Sequence, residues 1–256
     1  MIRVLFIGDI VGQPGCRFLR QILPRLKQEE HVDVCIANGE NSAVGNGILP
    51  CSADNLFDSG VDVITTGNHV FRRREIYSYL DEHPQLIRPA NYPDRCNGNG
   101  YYVYDGGRFQ LCVINLMGTV FLDNLAHPFY TMDRILQEVK ADLYFVDFHA
   151  EATGEKKALA YYLDGRISAL VGTHTHVQTA DERILPNGTG YLTDAGMTGP
   201  VESVLGVNPQ NIITRYLTCM PTRFEVPDGA CQLNGVMLDL DEKSGKCTKI
   251  KRIIRE

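Results

Sequence analysis

Five short runs of apolar, Val- and Ile-rich sequence each stop at a cluster of Asp, Glu, Asn or His, and this recurrence constrains the fold more than any other feature. Residues 3–7 give way to Gly8-Asp9, and residues 32–36 to Asn38-Gly39-Glu40-Asn41. Residues 61–65 lead to Gly67-Asn68-His69, a run near 145 ends in Asp147-Phe148-His149, and a run near 170 ends in Gly172-Thr173-His174-Thr175-His176. Short β-branched runs bounded by turn residues read as buried strands. Helix-like stretches lie between them. Leu19, Ile22, Leu23 and Leu26 share one face, Pro24 is expected to kink or shorten that helix, and Ser52 is placed to cap a second. Strand–helix alternation predicts a layered α/β fold with a largely parallel sheet. Ligands of such sheets bind beyond the carboxyl ends of the strands, so five strands would deliver their polar clusters to one edge.

The middle of the chain changes character. Residues 101–104 and 109–115 flank Gly106-Gly107 as a hairpin would, residues 117–129 read as a long loop, and helices are expected near 132–140 and 156–163. Two more hairpins are predicted, residues 181–185 with 191–193 and residues 235–240 with 248–254. With no internal repeat and no linker-like stretch, residues 1–256 are expected to form one domain containing two sheets.

Charge and cysteine usage narrow the functional classes. A net charge of −6 and a pI near 5.7 are a poor basis for gripping long nucleic acid, which needs Lys and Arg against phosphates. The eight cysteines include no C-x-x-C pair, and Cys35 and Cys112 sit in apolar runs. They read as core thiols of a reduced, cytoplasmic protein. The apolar run at the N-terminus is too short to span a membrane. Gly8, Gly12 and Gly15 have neither the Gly-Lys-Ser/Thr ending nor the spacing of a nucleotide-binding loop.

Taken singly, each polar residue has an ordinary explanation. Asp9 could cap a helix, Asn38, Asn41 and Asn68 suit turns, and His149 suits a satisfied buried site. His174 and His176 are harder to explain that way. On an extended segment they would share a face, and burying two imidazoles together is costly unless something coordinates them. The joint set of His, carboxylate and amide oxygen suits iron, manganese or zinc, and the absence of thiolates argues against a structural zinc site. Two carboxylates cannot neutralise two dications, so such a site would keep a positive charge that attracts a phosphate ester. His31, His83 and His127 are expected at the surface or in loops. Arg72-Arg73-Arg74, which follows Gly67-Asn68-His69, could touch a phosphate but reads more simply as a solvated helix face.

Gly67-Asn68-His69 and Gly172-Thr173-His174-Thr175-His176 resemble motifs of the calcineurin-like metallophosphoesterases. Gly8-Asp9-Ile10-Val11-Gly12, Asn38-Gly39-Glu40-Asn41, Asp147-Phe148-His149-Ala150-Glu151 and Gly196-Met197-Thr198-Gly199-Pro200 narrow the resemblance to the YmdB-like bacterial branch of cyclic-nucleotide phosphodiesterases. Two departures from the wider superfamily agree with that branch: Ile10 and Val11 follow Asp9 where Asp-x-His is usual, and Glu40 stands where Asp is usual.

The resemblance implies a metallophosphoesterase-type β-sandwich flanked by helices. It also implies two metal ions, iron or alternatively manganese, held at the carboxyl ends of the strands. Asp9, Glu40, Asn41 and His176 would hold one metal. Glu40, Asn68, His149 and His174 would hold the other, with Glu40 bridging. A metal-bridging hydroxide would attack a small phosphodiester, such as a 2′,3′- or 3′,5′-cyclic nucleotide, and His69 would protonate the leaving oxygen. Asp147, Glu151, Asp181 and Asp194 are candidates to orient the ligand imidazoles, although Glu151 and Asp181 read more simply as a cap or surface charge. Alternatives in view are a phosphomonoesterase or phosphoprotein phosphatase, a nuclease (disfavoured by the acidic chain), and a regulatory metal-binding protein with little turnover. Neither long nucleic acid nor a membrane is expected as a partner. The family resemblance leaves a homo-oligomer, dimer or tetramer, open.

Overall fold

The computed structural model describes residues 1–256. The chain opens with β1 (Ile2–Ile7), the short β2 (Asp9–Ile10), α1 (Gly12–Glu29), β3 (Val34–Asn38), α2 (Pro50–Asp58) and β4 (Val63–Thr65). A 3-10 turn over Val70–Arg72 leads to α3 (Ile76–Glu82). The middle supplies β5 (Tyr101–Asp105), β6 (Gln110–Met117), α4 (Pro128–Glu138), β7 (Leu143–His149), α5 (Thr153–Leu163), β8 (Ala169–Thr173), β9 (Arg183–Ile184) and β10 (Gly190–Leu192). The last part adds β11 (Met197–Pro200), α6 (Pro209–Thr218), β12 (Cys231–Leu240) and β13 (Cys247–Arg255).

These strands form two mixed sheets that pack face to face. One has the order β2-β11-β12-β1-β3-β4, with β13 also pairing β12, and the other the order β5-β6-β7-β8-β10-β9. Side chains alternate across a strand, so each sheet buries both faces. Ile2, Val4 and Phe6 point between the sheets and meet Leu111, Val113 and Phe145, with the Phe6 and Phe145 ring centroids 5.0 Å apart. On the outer face of the first sheet, Leu5 and Ile7 pack under α1 and α2. On the outer face of the second, Cys112, Ile114, Val146 and Phe148 pack under Met132 and Ile135 of α4 and Leu159 and Leu163 of α5. The result is a helix–sheet–sheet–helix sandwich, the layered α/β fold expected from the sequence. Neither sheet is largely parallel as expected, because hairpins and the return of β12 beside β1 add antiparallel pairs.

Several local expectations change. Pro24 does not break α1, because Leu19, Leu23 and Leu26 are buried on both sides of it and hold the two halves to the sheet. Ser52 is not the cap of α2. The helix begins earlier, at Pro50, and Ser52 Oγ reaches back to accept from the Leu49 N–H at 2.9 Å and donate to the Leu49 carbonyl at 2.9 Å. α4 starts at Pro128, inside the stretch expected to be loop, and His127 precedes it. His83 follows α3 in the loop, as expected, and its ring stacks on Tyr79 with centroids 3.6 Å apart. Arg72 ends the 3-10 turn, Arg73 is extended and Arg74 lies in the turn before α3, none of them on a helix face, and Arg73 binds the Asn46 and Val44 carbonyls. All eight cysteines are unpaired. No helix is long and apolar enough to cross a membrane.

Candidate metal centre and active site

The carboxyl ends of β1, β3, β4, β7 and β8 lie together, and every candidate residue from Asp9 to His176 arrives there. The inward rows of the strands explain why. Val34 and Ile36 are followed on the same face by Asn38, Val63 by Thr65, Val113 by Asn115, Phe145 by Asp147 and then His149, and Val171 by Thr173. All six polar residues are fully buried. Burial is tolerable because they bond one another. Asp147 accepts from Asn38 Nδ2 at 3.0 Å, Thr173 Oγ1 at 2.7 Å and Thr65 Oγ1. Thr173 Oγ1 also lies 2.9 Å from His149 Nδ1, so it joins the carboxylate to the ring.

One grouping centres on His149 Nε2. Asn68 Oδ1 lies 3.0 Å from it, His174 Nδ1 3.0 Å and Glu40 Oε1 3.1 Å. A single ring nitrogen carries at most one proton, and one N–H cannot serve three acceptors. Glu40, His149 and His174 each offer one ligand atom, and these atoms all lie within 4.8 Å of one another. Gly67 makes the approach possible. A Cβ there would fall 2.3 Å from His149 Cδ2 and 2.5 Å from Glu40 Oε2.

The second grouping surrounds Asp9. Its Oδ2 accepts from the His174 N–H at 3.1 Å, while Oδ1 is buried with no hydrogen-bond partner. His176 Nε2 lies 3.6 Å from that oxygen and 3.3 Å from Asn41 Nδ2. His176 Nδ1 faces the Leu205 carbonyl at 3.0 Å, which assigns its proton to Nδ1 and leaves Nε2 as a lone pair. Asn41 Nδ2 donates to Glu40 Oε1 at 3.2 Å, which turns its amide oxygen to His69 Nδ1 at 2.9 Å. The His69 backbone N–H donates to Glu40 Oε2 at 3.0 Å.

The donor set fits divalent or trivalent cations. Lone pairs of two carboxylates, an amide oxygen and three imidazoles converge without enough protons between them, and Asp9 Oδ1 is orphaned. The electrostatics point the same way. Burial pushes Asp9 up, but the imidazoles of His176 and His149 outweigh it and hold the carboxyl well below its usual range. Glu40 is likewise lowered, with burial overcome by His149 and His69. Burial opposes charging His149, yet Glu40 and Asp9 raise it to about 9, so a proton there supplies positive charge that the carboxylates attract. Burial and His149 lower His174 to about 4. Burial also lowers His69, against the pull of Glu40.

The structure corrects how the imidazoles are aimed. His174 and His176 are not on an extended strand. Both have left-handed backbones, φ 100° and 62°, which non-glycine residues adopt only when the surroundings hold them. Asp147 reaches His149 only through Thr173. Asp181 touches no imidazole, and it is neither a cap nor a free surface charge: half-buried, it accepts from Thr179 and Thr193. Asp194 contacts Thr175 between the two histidines. Glu151, read as a surface charge, places Oε2 3.2 Å from His174 Nε2 while half-exposed. Thr173 was missed, although the alternation from Ala169 and Val171 placed it inward.

A cavity of about 590 Å³ opens beside these groups. Glu40, Asn41, His69, His174 and His176 line it together with Arg72. Leu205, Ile212, Tyr216 and Phe224, from α6 and its flanking loops, add an apolar wall that sequence reasoning did not foresee.

Comparison with known proteins places these features among relatives. The profile of the YmdB-like protein family matches residues 5–253. A 2′,3′-cyclic-nucleotide 2′-phosphodiesterase of Bacillus subtilis is 48% identical over 256 residues, covering 99% of this chain and 97% of that protein. The crystal structure of a hypothetical protein from Thermus thermophilus superposes with a TM-score of 0.95 at 41% identity, covering 99% of each chain. A novel phosphatase from Mycoplasma pneumoniae superposes with a TM-score of 0.94 at 34% identity, covering 99% of this chain and 93% of that one.

Proposed function

The chain belongs to the YmdB-like family, and from that premise we propose that it is a two-metal phosphodiesterase acting on small cyclic phosphodiesters of nucleosides. The observation that carries the reading is the convergence of Glu40 Oε1, Asn68 Oδ1 and His174 Nδ1 on His149 Nε2 within 3.1 Å, beside the orphaned Asp9 Oδ1. Asp9, Glu40, Asn41 and His176 would hold one cation, and Glu40, Asn68, His149 and His174 the other. The Asn41 amide would be turned over for this, so that Oδ1 rather than Nδ2 faces Glu40 and His176. The family resemblance puts iron first for both and manganese second, and imidazole and carboxylate donors suit either. Cations held there supply Lewis acidity toward a phosphoryl oxygen and toward water.

The chain's own residues do the rest. With the Asn41 amide turned over, its Nδ2 would donate to His69 Nδ1, so the neutral ring keeps its proton on Nε2, where it can pass to the departing ribose oxygen. Arg72, at the cavity rim, suits a phosphate oxygen. The apolar wall of Leu205, Tyr216 and Phe224 suits the flat face of a base. This supports a nucleoside ester over a protein phosphate. The likeness to the Mycoplasma phosphatase favours a monoester as the second reading.

The shared apolar layer between the sheets supports residues 1–256 as one domain, and the eight free thiols support the cytoplasm. An assembly of two or four chains belongs to the same reading, and light scattering decides it.

The test is elemental analysis of protein purified without a metal-affinity tag, with hydrolysis of 2′,3′-cyclic AMP and p-nitrophenyl phosphate. Two metals per chain and preference for the cyclic diester are expected. His69→Ala should keep both metals and lower kcat by about 10²–10⁴-fold, the usual contribution of a positioned acid. No metal and no hydrolysis after adding iron or manganese would overturn the proposal. His69→Ala with full turnover would remove His69 as the acid.

A further inference from the structure

Lys156 and Asp194 form an ion pair that is sealed from solvent, the side chains 1% and 0% exposed. The reaction above gives neither charge a step, and Asp194, a candidate to orient an imidazole, bonds none directly. Lys156 lies on the buried stripe of α5 with Leu159, Ala160 and Leu163. Its Nζ donates to Asp194 Oδ2 at 2.8 Å and to the Thr173 carbonyl at 2.8 Å. Asp194 Oδ2 also accepts from the Thr175 N–H at 3.1 Å and from Thr175 Oγ1 at 2.7 Å. The other carboxylate oxygen accepts from the Gly196 N–H at 2.9 Å. The Gly196 carbonyl in turn accepts from the Asp9 N–H at 3.0 Å. Gly172 gives the lysine stem its path, since a Cβ there would fall 2.9 Å from Lys156 Cδ.

We propose that the buried Lys156–Asp194 pair is a positioning device for the metal-binding side chains. It grips the backbone immediately before and after His174, and through Gly196 it also sets Asp9. Stability alone is a weak reason to keep such a pair, because well-packed apolar replacements of buried ion pairs are often neutral or stabilising. The segment it grips needs holding. His174 and His176 both occupy left-handed backbone conformations that carry strain. Thr173 O, Thr175 N and Thr175 Oγ1 are anchored to one rigid charge pair, so His174 cannot relax into the extended conformation it would otherwise favour. The rings of His174 and His176 are thereby presented to Glu40, His149 and Asp9. Lys156 and Asp194 are positioning residues, not catalytic ones, since neither touches substrate or reacting atoms.

This inference rests on the two-metal reading, and its test separates the two. Metal-free wild type, Thr175→Val and the double variant Lys156→Met/Asp194→Asn are titrated with Mn²⁺ by calorimetry, and each metal-free form is melted. The double variant leaves no lone charge buried, and Thr175→Val removes only the hydroxyl contact. Wild type is expected to bind two Mn²⁺ ions. The double variant should bind Mn²⁺ about 10–100-fold more weakly, the usual effect of losing an outer partner of a ligand. Thr175→Val should bind about 2–10-fold more weakly, as befits one lost hydrogen bond. Mn²⁺ affinity equal to wild type in both variants, with lower metal-free melting temperatures, would show that the pair only props the fold and would overturn the inference. Should the double variant fail to fold, unchanged affinity in Thr175→Val overturns it alone. Wild type that binds no Mn²⁺ would instead overturn the two-metal reading.

Discussion

Between the two sheets, the inward rows carry Val34, Ile36, Val63, Val113, Phe145 and Val171 at one end and Asn38, Thr65, Asn115, Asp147, His149 and Thr173 at the other. Both ends are buried and both follow the same two-residue alternation. They differ in what burial does. The apolar end removes hydrocarbon from water and stabilises the sandwich. The polar end has to satisfy each group from within, and it leaves Asp9 Oδ1 with no hydrogen-bond partner. One end therefore carries stability and the other gathers the polar groups of the candidate site, on the same strands and only two residues apart.

This division can be broken by experiment. Asn68→Ala should have the largest effect: activity down by more than about 100-fold, beyond what losing an outer partner of a ligand usually costs, with the metal-free melting temperature unchanged. A large drop in metal-free stability instead would blur the division. Phe145→Ala, in the apolar end, should do the reverse. It should destabilise the fold by about 3–5 kcal/mol in a denaturant titration, while kcat per folded molecule is retained below the melting temperature. Loss of kcat in folded protein would show that the apolar end also tunes the site.

Thr173→Val probes the boundary. It keeps the shape but removes the hydroxyl that joins Asp147 to His149. Metal affinity should fall about tenfold, and stability should fall by about 1–3 kcal/mol because Asp147 loses a buried donor. An effect on stability alone would move Thr173 to the structural side.

The smallest effect is expected outside both ends. Burial raises the Asp181 carboxyl, but hydrogen bonds from Thr193 and Thr179 outweigh it and hold the group below its ordinary value of 3.8. A carboxyl lowered on folding contributes stability above its unfolded pKa and loses it as pH falls through the folded value. Acid melting curves of wild type should therefore fall more steeply below about pH 4 than those of Asp181→Asn. Parallel curves would show that these hydrogen bonds do not favour the charged form.

Much of this arrangement was legible in the chain. The five strand ends and the hairpins could be read because alternation and turn chemistry are local, and the candidate ligands at those ends followed from the motifs' family resemblance. Lys156 could have been suspected too, since residues 156, 159, 160 and 163 trace one buried helical stripe. Other features had no local signal. α6 buries none of its residues, so its short amphipathic pattern gave no warning that Tyr216 and its neighbours would wall the cavity.

By itself the amino-acid sequence determined the α/β layering and the polar strand ends, because these follow from periodicity along a few residues, while the candidate ligand set came from the family resemblance of the motifs. Only the tertiary structure decided that β12 inserts between β1 and β11, a pairing across more than half the chain that no local pattern encodes. It also decided that His174 and His176 turn inward through left-handed backbone instead of lying on a strand. That conformation is unfavourable on its own and exists because distant groups grip the backbone around it, with Lys156 and Asp194 foremost.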